Sequence, residues 1–262
     1  MFDFISYGAE KLQLMMLVGM RVAGLFVMAP VFGNRAIPGM IKAALAIALA
    51  ITILPTVAGA HPPHLSSLFD LAFFGLKEFV IGCLLGFVMQ LLFHAIRMAG
   101  SWIGLQNGLS VASIVDPSSA EEVNIIGEFW LVAGLVIFFC VDGHHALISG
   151  LADSYKAAPL SMGVIDASAV SALVGVSGLV FSMALKFAAP TLVTILLIDI
   201  ASATLARTMP QMNVFVIGVP VKIAVSIAVV GLSLPMFAWA LGKMVVFLDA
   251  QTRGMMEAVA IR

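Results

Sequence analysis

The segment Asp142-Gly143-His144-His145 holds the side chains of this sequence that are best suited to bind a metal ion or to move protons. Zinc enzymes place their histidines on one face of a helix, as in the HExxH motif. Adjacent histidines on a helix are expected to point in different directions, and no HExxH spacing accompanies this pair. We therefore predict a helix-terminal turn with interfacial histidines, with no metal site, no cofactor and no catalytic residue.

The signature motifs of common enzyme classes do not occur in the sequence. It has no Walker loop, no GxSxG nucleophile elbow and no GxGxxG dinucleotide motif. Cys83 and Cys140 lie inside apolar runs, where we expect small buried side chains rather than a disulfide. The net charge of −1 favours neither nucleic acid nor a strongly anionic partner. We expect a protein that is not an enzyme and does not bind nucleic acid.

The composition predicts which elements carry these residues. Hydrophobic residues make up 62% of the 262 residues and charged residues only 10%, whereas a soluble domain carries about a quarter charged residues. This predicts a membrane or membrane-assembly protein. Because strand-like alternation is rare, the predicted fold is all-α, with long hydrophobic helices and helical hairpins. The apolar segments run over Leu12–Phe32, Ala36–Gly59, Leu68–Arg97, Val123–Val141, Ser168–Arg207 and Val214–Leu248.

Charged residues lie well inside almost every apolar segment. One Arg or Lys at a bilayer centre costs roughly 3 kcal/mol, whereas a Leu or Phe returns only about 0.5 kcal/mol. Snorkelling to the interface suits Lys42 but serves Arg21, Lys186 and Lys222 badly, so we predict that protein surrounds and pairs these three. The candidate partners are Glu128, Asp142, Asp199 and Asp249. The predicted buried charges or assembly contacts are Arg21, Lys42, Glu128, Asp142, Lys186, Asp199 and Lys222.

Glycine and proline residues mark close packing and turns. Gly100, Gly104 and Gly108 recur every four residues, which places them on one helix face where another backbone can approach, either within the chain or in a partner. The segment 210–213 separates two long apolar runs and is predicted to turn a helical hairpin. Beyond it, a glycine and a proline are expected to bend or thin the returning helix. The predicted packing and turn residues are Gly100, Gly104, Pro210, Asn213, Gly218 and Pro220.

The stretch GLQNGLSVASIVDPSSAEE, residues 104–122, is polar although it follows an apolar helix. Irregular polar backbone at membrane depth is tolerated only where protein buries it or where it lines a cavity. The stretch is therefore either an ordinary loop at the membrane surface or a plug segment inside an assembly.

Four blocks in order along the chain resemble the FliR family, the R-type subunit of the flagellar type III protein export gate, which is related to the injectisome T-type subunit. The blocks are RVAGLFVMAPVFGNRAIPGMIKAALAIALA from Arg21, QNGLSVASIVDPSS, VDGHHALISGLADSY, and PQMNVFVIGVPVKI from Pro210. Within the last block, IGVPVKI resembles the flagellar rather than the injectisome proteins.

The resemblance implies a subunit of a helical hetero-oligomeric pore in the bacterial inner membrane, at the flagellar basal body. Expected partners are P-type and Q-type gate subunits, a B-type switch subunit, membrane lipid, and unfolded exported proteins as cargo. Residues 1–166 would form a P-like part with the central loop at 104–122, and residues 167–262 a Q-like hairpin with a C-terminal tail. In this reading, neighbouring subunits cover the embedded charges. The implied plug or pore loop comprises Gln106, Asn107, Gly108, Leu109, Ser110, Val111, Ala112, Ser113, Ile114, Val115, Asp116 and Pro117.

Two other classes compete with the export-gate subunit. A proton-coupled secondary transporter would use embedded groups such as Glu128, Asp142 and Lys186, and would show inverted repeats, of which the sequence has no convincing example. An intramembrane metalloenzyme would use Asp142 and the histidines, but its ligand spacing is missing. A transporter should fold and bind its substrate alone, whereas a gate subunit should be unstable without its partners.

Overall fold

The computed structural model describes residues 2–30, 32, 37–57, 67–108, 125–160, 167–209 and 214–259. Within these ranges the chain forms seven α-helices and no strand, which confirms the predicted all-α class. The helices are α1 (Phe2–Met28), α2 (Gly39–Val57), α3 (Leu68–Gln106), α4 (Ile125–Cys140), α5 (Gly143–Ala157), α6 (Ala167–Thr208) and α7 (Val214–Val259).

Five of the described helices are long and apolar enough to cross a membrane: α1, α2, α3, α6 and α7. Their most apolar windows differ in how far the chain itself buries them. In α3, 61% of the window is buried, whereas the figures are 33% for α6 and 11% for α7. The apolar surface of α6 and α7 therefore depends on something outside this chain for cover.

Both ends of α3 carry recognisable capping motifs. At its start, the backbone N–H of Asp70 donates to Ser67 Oγ and the N–H of Ser67 donates to Asp70 Oδ2, which is a capping box. At its end, Gly108 adopts a left-handed φ of 78°, which closes the helix without the penalty that a side chain would bring. The predicted third segment stopped at Arg97, so α3 is longer than predicted, because Gly100 and Gly104 are tolerated inside it.

The described chain divides into two compact units. The first consists of residues 1–91, 142–178 and 245–262, and the second of residues 92–141 and 179–244. The predicted division at residues 166 and 167 follows the resemblance to P-type and Q-type subunits rather than compactness, and it stays a prediction.

In the first unit, α1 presents one buried face with helical periodicity. Its buried apolar residues are Leu14, Leu17, Val18, Val22, Leu25 and Phe26. Glycines bring the backbone of α1 against that of α3. A Cβ on Gly82 would collide with Arg21 O, and one on Gly86 would lie 2.8 Å from Leu25 O. The glycine spacing in α3 therefore serves a helix crossing within the chain.

In the second unit, aromatic side chains form the core. Trp130 is 1% exposed and lies edge-on to Phe237, with ring centroids 4.3 Å apart. Phe187 contacts the same Phe237 ring at 5.0 Å. A Cβ on Gly100 would collide with Gly127 of α4, so the backbone of α4 lies directly against this glycine. Sequence patterns do not single out this cluster, because aromatic residues are common throughout such an apolar chain.

Candidate functional site

Arg21 lies in the middle of the buried face of α1 and forms an ion pair inside the first unit. Its Nε donates to Glu78 Oε2 of α3 at 2.6 Å, and both side chains are fully buried. Its Nη1 donates to Ser154 Oγ at 3.1 Å, and Nη2 donates to Ala158 O at 2.9 Å. The guanidinium thus ties α1 to α3 and α5 with directional, charge-assisted bonds.

Tyr155 completes this cluster from α5. Its ring lies 4.2 Å from Arg21 Cζ, which is a cation–π distance. Its hydroxyl donates to Val18 O at 3.1 Å, so the polar end of the ring is also satisfied. The arrangement holds one charge pair in place and offers no nucleophile next to a base, so it reads as a structural site.

The structure corrects the expected partner of Arg21. The candidate carboxylates were Glu128, Asp142, Asp199 and Asp249, whereas the observed partner is Glu78, 57 residues away on another helix. The chain itself therefore surrounds this arginine, and no neighbouring subunit is needed to cover it.

A second polar cluster lies at the C-terminal end of α3 in the second unit. Asn107 is 1% exposed, and its Nδ2 donates to Ser226 Oγ of α7 at 2.8 Å. Ser226 in turn donates to Ile223 O at 3.0 Å. Asn107 Oδ1 is buried and has no hydrogen-bond partner in the part of the chain that the structure describes. Among the described residues, the side-chain amide of Asn107 thus makes a single hydrogen bond, although it has further donor and acceptor capacity.

A charge pair flanks this contact. Lys222 Nζ of α7 pairs with Asp199 Oδ1 of α6, and the side chains are 19% and 33% exposed. Gln106 Nε2 lies 3.4 Å from Asp199 Oδ2, so the end of α3 meets the same carboxylate. The resemblance implied that neighbouring subunits cover the embedded charges, but Lys222 pairs with a carboxylate of its own chain, Asp199, which was among the candidates.

An open groove of about 320 Å³ lies beside this pair. Its walls are mostly small side chains, which leave room for close approach of another backbone. The lining residues are Asp199, Ser202, Ala203, Ala206, Gly218, Val219 and Lys222. Gly218 is therefore a wall of this groove. The helix α7 continues through Pro220, which lies inside its bounds.

The other predicted charges are not buried by this chain. Lys42 is half-buried, and Lys186 is exposed with no ion pair to any described residue. Glu128 is exposed and lies 3.5 Å from Arg97. Asp142 is exposed as well. As predicted assembly contacts, these four positions stay predictions.

The histidine pair is arranged differently from the expectation. The rings of His144 and His145 do not diverge, since their centroids are 4.2 Å apart. Asp142 has a left-handed φ of 56°, and its Oδ1 lies 3.1 Å from His145 Nδ1. One donor atom from each of the three lies within 4.8 Å of the others, so the group could hold a metal ion. Its place at the positive end of α5 and its exposure oppose cation binding, and we assign no metal to it.

A third group of charges lies where α5 meets the C-terminal end of α7. Asp153 accepts from Lys156 Nζ at 2.9 Å and lies 3.1 Å from Arg253 Nη1. The hydrogen bond from Lys156 holds the pKa of the Asp153 carboxyl below its ordinary value. These are exposed pairs at helix surfaces, with little effect on stability.

Several predicted site residues lie outside the described part of the chain. These are residues 109–117 of the candidate plug loop, together with Pro210 and Asn213 of the predicted turn. The predicted loop began at residue 104, but Gly104, Leu105 and Gln106 belong to α3, because the helix continues until Gly108 closes it. Gly104 is buried in that helix.

Comparison with known proteins finds one family along most of the chain. Residues 12–247 match the model of the bacterial export proteins, family 1. The chain is 35% identical to the flagellar biosynthetic protein FliR of Pectobacterium carotovorum over 218 residues, which is 82% of each chain. It is 33% identical to FliR of Escherichia coli K12, with 84% of this chain and 83% of that protein covered. Identity to FliR of Bacillus subtilis 168 is 31%, over 80% of this chain and 82% of that protein.

Proposed function

The chain belongs to the bacterial export proteins of family 1, the FliR family, and we propose that it is a subunit of the inner-membrane export gate of the flagellar type III secretion system. With P-type and Q-type subunits it forms the pore through which unfolded flagellar proteins pass, at the flagellar basal body and next to a B-type switch subunit. FliR proteins are structural components of the export apparatus, and we assign this chain no catalytic role.

The observation that best supports an assembled subunit is the exposure of α6 and α7. Only 33% and 11% of their most apolar windows are buried, and large side chains such as Leu232 and Val246 are 81% and 70% exposed. Lipid could cover such surfaces, but Lys186 stands among them and would cost roughly 3 kcal/mol at the bilayer centre. Partner subunits cover both kinds of group at once, since they supply apolar contacts and acceptors for a cation.

The proposed gate is closed in part by the central loop of this chain, which begins where α3 ends. The end of α3 is held by side chains of α6 and α7, so the loop starts from a fixed point. A plug needs such a fixed root, because a loop attached to a fraying helix end would not reach the same place each time.

Deleting residues 109–116 tests the plug, because this removes eight residues and leaves Gln106 and Asn107 in place. The expected result is an assembled complex with raised ion permeability of the cell membrane, measured with a voltage-sensitive dye. A deletion of residues 58–65, also eight residues between two helices, is the matched control and should leave permeability unchanged. Unchanged permeability in the first variant, with the complex assembled, contradicts the plug.

The related injectisome subunit and a proton-coupled transporter are the competing functions. The relatives described above are all flagellar biosynthetic proteins, which favours the flagellar assignment. The transporter gains no support from the buried charges, because Arg21 and Glu78 neutralise each other and are sealed from solvent.

A further inference from the structure

We propose that the exposed side of α6 around Lys186 binds a helix of a neighbouring gate subunit, and that this helix is apolar except for one carboxylate that pairs with Lys186. The proposal rests on the proposed function and deepens it, because it states the chemistry of the partner that covers α6. We call this side of the helix the Lys186 face. Its residues are Ser182, Lys186, Val193, Leu197 and Ile200.

The Lys186 face has the spacing of a helix-packing surface. Ser182 precedes Lys186 by 4 residues, and the apolar members follow it by 7, 11 and 14 residues, so all of them lie on one side of the helix. The three apolar side chains, Val193, Leu197 and Ile200, are each more than half exposed. An exposed apolar stripe of this length fits a second helix laid along α6.

Lys186 adds a polar requirement to this apolar face. Its side chain is exposed and forms no ion pair with any residue that the structure describes. Four residues later, inside the same helix, Pro190 has no N–H, so the carbonyl of Lys186 lacks the donor that an α-helix normally supplies. Acyl chains offer neither an acceptor for the ammonium nor a donor for the carbonyl. A protein helix with a carboxylate supplies the counter-charge in an apolar surrounding.

Lipid headgroups could accept the Lys186 ammonium only if the bilayer surface lay at this level of α6. Hydrocarbon that extended from there towards the C-terminal end of α6 would contain the ion pair of Asp199 and Lys222. Asp199 is 13 residues further on, which is about 20 Å along the helix. Both side chains of that pair are partly exposed, so lipid would contact charged groups.

Hydrocarbon that extended the other way from Lys186 would contain charges of α7. The two helices run antiparallel, since Phe187 contacts Phe237 whereas Asp199 contacts Lys222. Within about 24 Å beyond Phe237, α7 carries three charged residues, which are Lys243, Asp249 and Arg253. Neither placement gives lipid a layer free of charge, so protein covers the Lys186 face.

A photo-crosslinking amino acid identifies what covers the face in the complex assembled in cells. It is placed at Val193 in one variant and at Leu197 in another, and each is co-expressed with P-type and Q-type subunits. We expect irradiation to join this chain to one of those subunits, with the crosslinked helix identified by mass spectrometry. Adducts to lipid alone, or to a second copy of this chain, would overturn the proposal.

Charge variants at Lys186 test the carboxylate. Lys186→Met leaves the partner's carboxylate without a counter-charge and should lower the amount of copurified complex about tenfold, and Lys186→Glu should lower it further. Lys186→Arg keeps the charge and should stay within about twofold of wild type. Lys243→Met is the matched control and should also stay within about twofold, because the Lys243 ammonium lies 4.0 Å from the Trp239 ring of its own chain.

A charge exchange distinguishes a direct ion pair from general damage to the chain. Lys186→Glu is combined with replacement of the Asp or Glu of the crosslinked helix by Lys, and we expect the amount of complex to return to within about threefold of wild type. A double exchange that assembles no better than Lys186→Glu alone would overturn the ion pair. A wild-type amount of complex with either Lys186→Met or Lys186→Glu would overturn it as well.

The wild-type chain separates failure of this proposal from failure of the proposed function. If the wild type copurifies with P-type and Q-type subunits but the Lys186 variants do so equally well, the chain is a gate subunit and the Lys186 face is not its charged contact. If the wild type does not copurify with them, the proposed function fails and this proposal fails with it.

Discussion

The ion pair between Arg21 and Glu78 yields the sharpest energetic prediction. Replacing Glu78 with Leu leaves a fully buried guanidinium that keeps its bonds to Ser154 and Ala158 but loses its counter-charge. Breaking a buried pair in this way costs about 3–5 kcal/mol. For a chain of this size about 1 kcal/mol shifts the melting temperature by roughly 3 °C, so we expect a decrease of about 12 °C.

The double variant Arg21→Met with Glu78→Leu distinguishes the cost of an unpaired buried charge from the cost of lost contacts. Removing both charges leaves Ala158 O without its donor, which costs about 1–3 kcal/mol, so the expected decrease is roughly 6 °C. If Arg21→Met and Glu78→Leu acted independently, each would lower the free energy of unfolding by about 4 kcal/mol and the double variant would lose about 8 kcal/mol. The double variant should therefore be more stable than Glu78→Leu alone.

Thermal unfolding of the detergent-purified complex, followed by tryptophan fluorescence, measures these differences. Lys156→Met is the matched control, because it removes a partner from an exposed ion pair and should change stability by less than about 0.5 kcal/mol. Two results would contradict a buried charge pair. Glu78→Leu could lower the melting temperature no more than Lys156→Met does, or the double variant could lose as much stability as both single variants together.

Two further substitutions, each with a control substitution, test the packing that positions the sites. Gly82→Ala places a methyl group on Arg21 O at the crossing of α1 and α3, so it should destabilise the protein by about 3 kcal/mol or more. Gly178→Ala is the control. No described residue lies within 4 Å of its added methyl group, so it should stabilise the protein by up to about 1 kcal/mol. Equal melting temperatures for these two variants would contradict the close crossing. Trp130→Ala opens a cavity beside Phe187 and Phe237 and should cost about 3–5 kcal/mol, against less than about 1 kcal/mol for Phe139→Leu on the 45% exposed Phe139. If the Trp130→Ala complex had the same melting temperature as the wild type, Trp130 would not be part of a well-packed core.

Sequence patterns predicted the features that depend on neighbouring residues. Apolar runs predicted the helices, and Asp142-Gly143 predicted the break between α4 and α5. A charge inside an apolar run predicted that protein surrounds Arg21, because the cost of a bare charge does not depend on the fold. Its partner could not be predicted, since Glu78 stands next to Lys77 in sequence and only the glycine crossing of α1 and α3 turns it towards Arg21.

The contacts at the end of α3 show the same limit. Asp199 was one of four candidate carboxylates, and the choice among them depends on how α6 and α7 pack. Nothing in the sequence linked Asn107 to Ser226, which are 119 residues apart. Residue types also did not indicate that the rings of the adjacent histidines lie 4.2 Å apart, or that Asp142 takes a left-handed conformation, which is rare for residues other than glycine.

The most direct test of the whole account is the native mass of the complex obtained when the chain is co-expressed with P-type and Q-type subunits. We expect a single complex that contains all three subunits, because the exposed apolar faces of α6 and α7 need partner helices to cover them. A chain that purifies alone as a stable, monodisperse monomer or homo-oligomer, while the other two subunits assemble without it, would contradict the account.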